Sequence, residues 1–257
     1  MKIATWNVNS LRVRIDHVRD WLSAEQPDVL GLQETKLTDD KFPVEALADI
    51  GYRCVFSGQP TYNGVALITR DSAEDVVMEI DGFDDPQRRV LGATVNDVRV
   101  YNLYVPNGQA VGTEKYAYKL AWLEALTAQL EKELARYENV IVLGDFNIAP
   151  ADEDVHDPEA WRGRILCSDD ERAALTQITD LGLADTFRLF EQPDNSFSWW
   201  DYRAAGFRRN LGLRIDLILA SATLRDSCSA CSIDKEPRRL ERPSDHAPVV
   251  AIFEPLS

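Results

Sequence analysis

Eight side chains of this sequence have the types and placing to work on a phosphate ester: Asn7 in TWNVN, Glu34 in LQETK, Tyr104 in NLYVPNG, Asp145 and Asn147 in VLGDFN, Asp216 in LRIDLIL, and Asp245 with His246 in PSDHAP. Together they supply hard oxygen ligands, one imidazole and one phenol, a donor set suited to Mg²⁺ or Mn²⁺ and to the charge on phosphoryl oxygens. Most stand at the end of an apolar, β-rich run, where a strand hands its last side chain to a rim shared with its neighbours. Taken singly, each has an ordinary explanation. An Asp or Asn after a strand is commonly a turn former or a helix cap, and Asp-His ahead of Pro and a strand is common in structural loops. Asp216 resists that explanation, because it interrupts an apolar strand and a buried carboxylate is costly unless paired or metal-bound. The set works as a site only if the fold gathers it.

The elements that must do the gathering are legible from periodicity. Residues 2–8 read as a first strand, followed by a helix with Leu11, Ile15, Val18 and Leu22 on one face that Pro27 stops. A short buried strand at 29–32 delivers Glu34, and residues 43–49 suggest a brief helix. Strands are predicted at 53–57, 64–69, 76–80, 90–95 and 98–104, an antiparallel stretch with turns such as Asn96-Asp97. Leu120, Leu123, Leu126, Leu130 and Leu134 mark a long helix over 113–137, and an all-apolar strand at 140–143 ends in Gly144-Asp145. Residues 151–170 are polar and irregular, 170–181 return to helix, 213–220 form a central strand, and 247–253 a closing one. Helices separated by several strands suit an α/β fold, a four-layered sandwich of two packed, mainly antiparallel sheets flanked by helices. The absence of any linker-like segment points to one domain over 1–257.

Composition limits the setting. No 18-residue apolar run could span a membrane and the N-terminus lacks a signal-peptide core, so a soluble, cytoplasmic protein is expected; a monomer is the default expectation, since nothing in the residues reports oligomeric state. Cys54, Cys167, Cys228 and Cys231 do not make a secreted disulfide framework, and the Cys228/Cys231 CxxC lacks a second ligand pair; inert thiols are expected. The net charge of −15 argues against general affinity for nucleic acid. Yet arginines crowd Arg203, Arg208, Arg209 and Arg214, then Arg238, Arg239 and Arg242, with Arg88 and Arg89 as another pair, and guanidinium fits phosphate geometry. The alternative is a solvated face balanced by neighbouring acids, and acidic runs such as 151–157 and 169–171 are expected away from the site.

In order and spacing, KIATWNVNSLR, LQETK, GVALITR, GDFNIAP, FSWWDYR, LGLRIDLILAS and PSDHAPVVAIF resemble, over essentially the full chain, the exonuclease III-type apurinic/apyrimidinic endonucleases of the endonuclease/exonuclease/phosphatase superfamily. The resemblance implies metal-dependent hydrolysis of duplex DNA 5′ to abasic sites, with 3′-to-5′ exonuclease and 3′-end-cleaning activity. It implies Mg²⁺, with Mn²⁺ as substitute, held by Glu34 with Asn7, Asp145, Asn147 and Asp245 around it. Asp145 and Asn147 match the pair that activates and orients water, Asp216 and His246 an Asp-His dyad, and Tyr104 a phenol near the scissile phosphate. Trp199 and Leu213 fall where the family builds a pocket for the base-free sugar. Arg88, Arg89, Lys115, Lys119, Arg203, Arg208 and Arg209 are the expected DNA contacts. Whether Asp145 or His246 is the general base, and whether one metal or two act, stays open at this point. The rivals are a small-phosphoester phosphatase on the same scaffold, which would need neither the Trp199 pocket nor the arginine loop, and a binding protein without chemistry, against which the intact acids argue.

Overall fold

The structure, a computed structural model, describes residues 1–255. The first half of the chain runs β1 (Lys2–Asn7), α1 (Leu11–Glu25), β2 (Val29–Gln33), α2 (Val44–Ala48), β3 (Arg53–Ser57), β4 (Val65–Thr69), β5 (Glu74–Val77), β6 (Val90–Val95) and β7 (Val98–Tyr104). It continues through α3 (Glu114–Arg136), β8 (Val140–Asp145), α4 (Pro158–Trp161), α5 (Asp169–Thr179), β9 (Ala184–Asp185), β10 (Trp199–Trp200), β11 (Gly212–Leu213), β12 (Asp216–Ala220), α6 (Ala222–Ser227), β13 (Cys228–Ile233) and β14 (Val249–Phe253).

Two six-stranded sheets result, ordered β13-β14-β1-β2-β4-β3 and β5-β6-β7-β8-β12-β9. Each has one parallel pair, β1 with β2 and β7 with β8, and is otherwise antiparallel. A parallel pair needs a crossover; α1 supplies the first and the 23-residue α3 the second. Strand alternation then divides the apolar residues between two faces. Ile3, Val29 and Leu67 meet Val100, Ile141, Leu143 and Ile218 between the sheets. Ala4, Leu30 and Ile68 turn outward under Leu11, Val18 and Leu22 of α1. On the opposite side Tyr101, Val142 and Leu219 turn outward under Trp122, Leu126 and Leu130 of α3 and Ile178 of α5. Four layers follow, and strands covered on both faces read as continuous apolar runs.

Three expectations shift. The strand predicted at 76–80 is Glu74–Val77, because Ile80 leaves the sheet to pack under α3. The predicted strand 213–220 breaks in two: Arg214 N donates to Asp154 O and Ile215 N to Ser198 Oγ, so β12 starts at Asp216. The irregular stretch 151–170 contains the short α4.

Candidate active site

Register brings the strand ends to one rim. Asn7 closes β1 opposite Gln33, so Glu34 follows beside it. Tyr104 closes β7 opposite Asp145 at the end of β8, and antiparallel β12 begins with Asp216 opposite that same Asp145. Gly144 makes the approach possible, since its φ is +144° and a Cβ there would lie 2.0 Å from Leu103 O. Glu34 and Asn147 have φ of 52° and 48°, left-handed backbone that aims their side chains into the rim and is found for such residues mainly at constrained sites.

Asn7 links the two sheets: its Nδ2 donates to Glu34 Oε1 at 2.9 Å and to Asp145 Oδ2 at 2.8 Å. His246 Nδ1 lies 2.9 Å from Asp216 Oδ2, and Nε2 lies 3.7 Å from Asp145 Oδ2. Asn147 N donates to Asp145 Oδ1 at 2.9 Å, while the Asn147 side chain is held by Asn107 Nδ2 and Val105 O. Asp245 accepts from Asn9 Nδ2 and from the Trp199 indole N–H, each at 3.0 Å. Tyr104 lies beside Glu34, with the Arg89 guanidinium 4.6 Å from its ring centroid.

Burial dominates the electrostatics. It pushes Asp145 up to about 7, with Asp216 and Glu34 adding to the effect against His246 and Asn7. Burial would hold His246 neutral, but Asp216 and Asp145 outweigh it and raise the imidazole to about 10. Tyr104 is held well above the ordinary phenol range by burial and by the Glu34 and Asp145 carboxylates, so it keeps its proton. Near neutrality His246 is therefore an imidazolium held on Asp216, facing Asp145 in the middle of its own titration.

The residues fit a hard divalent cation. Glu34, Asp145 and His246 present ligand atoms within 4.8 Å of one another. The imidazole, raised to about 10 beside Asp216 and Asp145, is protonated on both nitrogens near neutrality and has no lone pair to offer, which leaves the Glu34 and Asp145 oxygens as the donors. Repulsion between those carboxylates is part of what raises Asp145, and a cation would relieve it.

Other expected residues stand differently. Lys119 is wholly buried and ion-paired to Glu171 at 2.5 Å, so it does not reach phosphate. Arg214 and Arg238 are likewise buried, Arg214 between Asp154 and Asp185 and Arg238 against Trp200, Tyr202 and Phe207. The acidic runs are not simply remote surface, since Asp154 and Glu171 are the buried partners of these cations. Leu213, expected to line an open slot for a sugar, has no exposed surface and packs with Ala149, Val155, Leu166, Cys167 and Ile215. Trp199 keeps some exposure and is zipped to the loop of Asp245 and His246 by its bridge to His246. Arg203 is exposed but chelated by Asp201; Arg208 and Arg209 are exposed on the same loop. Lys115 lines a cleft of about 700 Å³ with Tyr62, Asn63, Asn107 and Tyr118, next to the rim; Arg89 borders it but is largely buried, its guanidinium donating to Gln87 Oε1 and Tyr104 O, and half-buried Arg88 precedes it. Burial raises Cys54 and Cys231 to about 12 and Cys167 to about 11, and all four thiols are free. Sequence reasoning missed Asn9, which holds Asp245, and Asn107, which holds Asn147. Both lie inside the motifs WNVN and YVPNG, and their polar character beside strand ends was the available signal.

The chain matches the endonuclease/exonuclease/phosphatase family over residues 4–246. It is 37% identical to exodeoxyribonuclease III of Haemophilus influenzae, covering 98% of this chain and 100% of that protein. Among solved structures it is similar to the 3′ phosphatase NExo from Neisseria bound to a product DNA hairpin, at 49% identity and a TM-score of 0.97, with 99% of each chain covered. It is also similar to an AP endonuclease from Archaeoglobus fulgidus, at 40% identity and a TM-score of 0.95, over 99% of this chain and 100% of that one.

Proposed function

Because the chain belongs to the endonuclease/exonuclease/phosphatase family, we propose that it is a DNA-repair hydrolase that cuts the phosphodiester backbone of duplex DNA 5′ to abasic sites and processes 3′ ends at the same centre. The observation that carries this reading is the convergence of Asn7, Glu34, Asp145 and the His246–Asp216 dyad on one rim. Glu34 and Asp145 would hold Mg²⁺, or Mn²⁺ in its place. Such a cation supplies, when bound, Lewis-acid charge to the nonbridging phosphate oxygens.

The chain's own groups divide the remaining work. Asp145, at about 7 without a cation and lower beside one, is the carboxylate placed to act as general base, and a contribution of about 10²- to 10⁴-fold is ordinary for such a group. His246 is charged and held on Asp216, so it serves as a donor to the developing negative charge rather than as the base. Asn147, fixed by Asn107 and Val105, orients the attacking water. The Tyr104 hydroxyl, kept protonated, adds a second donor on the phosphate. Arg89 and Lys115 in the adjoining cleft, and Arg208 and Arg209 on their loop, would carry the flanking strand. No helix among the described residues is long and apolar enough to cross a membrane.

The enclosed Leu213 favours a second weighting, in which 3′ termini are processed faster than abasic sites are incised, because Leu213 has no exposed surface to offer an extruded sugar. The test is cleavage of two duplexes, one with an abasic-site analogue and one with a nick bearing a 3′-phosphate, in Mg²⁺ and in EDTA. Asp145→Asn and His246→Asn are run beside the wild type. Metal-dependent activity lost in both variants supports the proposal, and the ratio of the two rates fixes the weighting. A folded wild type inactive on both duplexes in Mg²⁺ and Mn²⁺ refutes it.

A further inference from the structure

Lys119 lies within α3, wholly buried, although burial drives an ammonium toward its neutral form. Its Nζ makes three contacts: Asn147 O at 2.7 Å, Asn107 O at 3.2 Å and Glu171 Oε1 at 2.5 Å. The two carbonyls belong to separate loops, one following β7 and the other β8, and both loops send an asparagine to the site. Asn107 Nδ2 donates to Asn147 Oδ1 at 3.2 Å, and Asn147 N donates to Asp145 Oδ1 at 2.9 Å. Glu171 cannot follow if its partner moves, because it caps α5 and accepts from Leu166 N and from Ser168 N and Oγ. As packing alone the lysine is a poor choice, since replacing a buried ion pair by apolar residues is often neutral or stabilising. What an apolar residue could not supply is a donor to both carbonyls.

We propose that Lys119 is a positioning residue, a buried clamp that holds the Asn107 and Asn147 loops in register so that Asn147 presents its amide to the attacking water. The inference rests on the nuclease reading above. The charge comes from α3, its counter-charge from α5, and the effect is delivered through main-chain carbonyls, so none of the three polar partners touches substrate through Lys119 itself.

The test compares Lys119→Met with the double variant Lys119→Met/Glu171→Leu, which leaves no unpaired buried charge. Cleavage of the abasic-site and 3′-phosphate duplexes is measured alongside amide hydrogen exchange of residues 105–108 and 146–149 in metal-free protein. Expected is a kcat loss of about 10- to 100-fold in both variants with KM within about threefold of wild type, the cost usual for losing an outer support of a catalytic group. Exchange in both loops should rise, and the double variant should recover thermal stability that Lys119→Met loses without recovering kcat. Wild-type kcat in the double variant, or unchanged exchange in the two loops, overturns the clamp. If wild-type protein cuts neither duplex, the nuclease reading fails while the exchange result still decides whether the clamp exists.

Discussion

Replacing Asp216 by Asn removes one charge from the dyad while keeping the volume and an acceptor for His246. The two groups are 2.9 Å apart in a site sealed from solvent. At an effective dielectric of about 20 that contact is worth about 6 kcal/mol, equivalent to about 4 pH units for the imidazole. His246, raised to about 10 in the wild type, would fall to its ordinary 6.5 or below, since burial then acts with less opposition. Asp145 sets the opposite limb: its anionic form is needed and prevails above about 7, or lower once a cation sits beside it. The wild type should therefore show a kcat/KM plateau from about 7 to about 10. Asp216→Asn should fall about tenfold per pH unit across that window, reaching about 300-fold below wild type at pH 9, while the deficit near pH 6.5 is only about twofold. The assay is kcat/KM on the nicked 3′-phosphate duplex from pH 6 to 10 at constant ionic strength. A loss of the same size at every pH would refute the reasoning, because it would mean that Asp216 orients the ring without controlling its charge.

Trp199→Phe keeps an aromatic ring and deletes the indole N–H that holds Asp245 Oδ2; a hydrogen bond to a charged group is worth about 1.5–3 kcal/mol, so the melting temperature should fall by several degrees and kcat/KM by about tenfold, read by thermal melting and by cleavage of the nicked 3′-phosphate duplex. Glu34→Gln should raise the Mg²⁺ concentration for half-maximal rate by about 10- to 100-fold, read by metal titration of cleavage, and an unchanged requirement would move the metal elsewhere. Gly144→Ala should destabilise the fold by more than about 3 kcal/mol, measured by urea unfolding, because the added methyl meets Leu103 O while the backbone sits at φ +144°.

The site was readable from sequence because its residues sit at strand ends, where apolar periodicity stops and a polar side chain stands out. Asp145 and Asp216 each adjoin an uninterrupted apolar run, and the antiparallel register that pairs them follows from the same runs. The layers were readable for a related reason: strands buried on both faces and helices with one apolar stripe leave few ways to pack. Contacts between loops were not. Leu213 lies within GLRID, which together with FSWWDYR marks a pocket, but whether a pocket stays open depends on what Val155 and Leu166 do, and nothing in a strand pattern encodes that. Arginine counting failed in the same way, because a guanidinium beside a site in sequence can turn inward when an acid awaits it.

That inward turn bears on how an acidic protein can engage a polyanion. Arg99, Lys119 and Arg214 are each buried against a carboxylate, so cations that the composition credits to the surface neutralise the interior instead. Their partners Glu133, Glu171 and Asp154 are withdrawn from the surface equally, which leaves the −15 of the whole chain on its exterior. A uniform exterior of that charge would repel DNA. On the proposed reading, binding comes from a few cations near the rim, Lys115 with Arg89 in the cleft and the exposed Arg208 and Arg209, acting within a Debye length of the phosphates. Few phosphate contacts mean few released counterions, so the salt slope of binding should be shallow, near −0.9 for each phosphate neutralised. Arg208→Ala with Arg209→Ala should therefore flatten that slope by about two and leave kcat at saturating DNA intact. A slope unchanged by the pair would place the strand on another face of the sandwich.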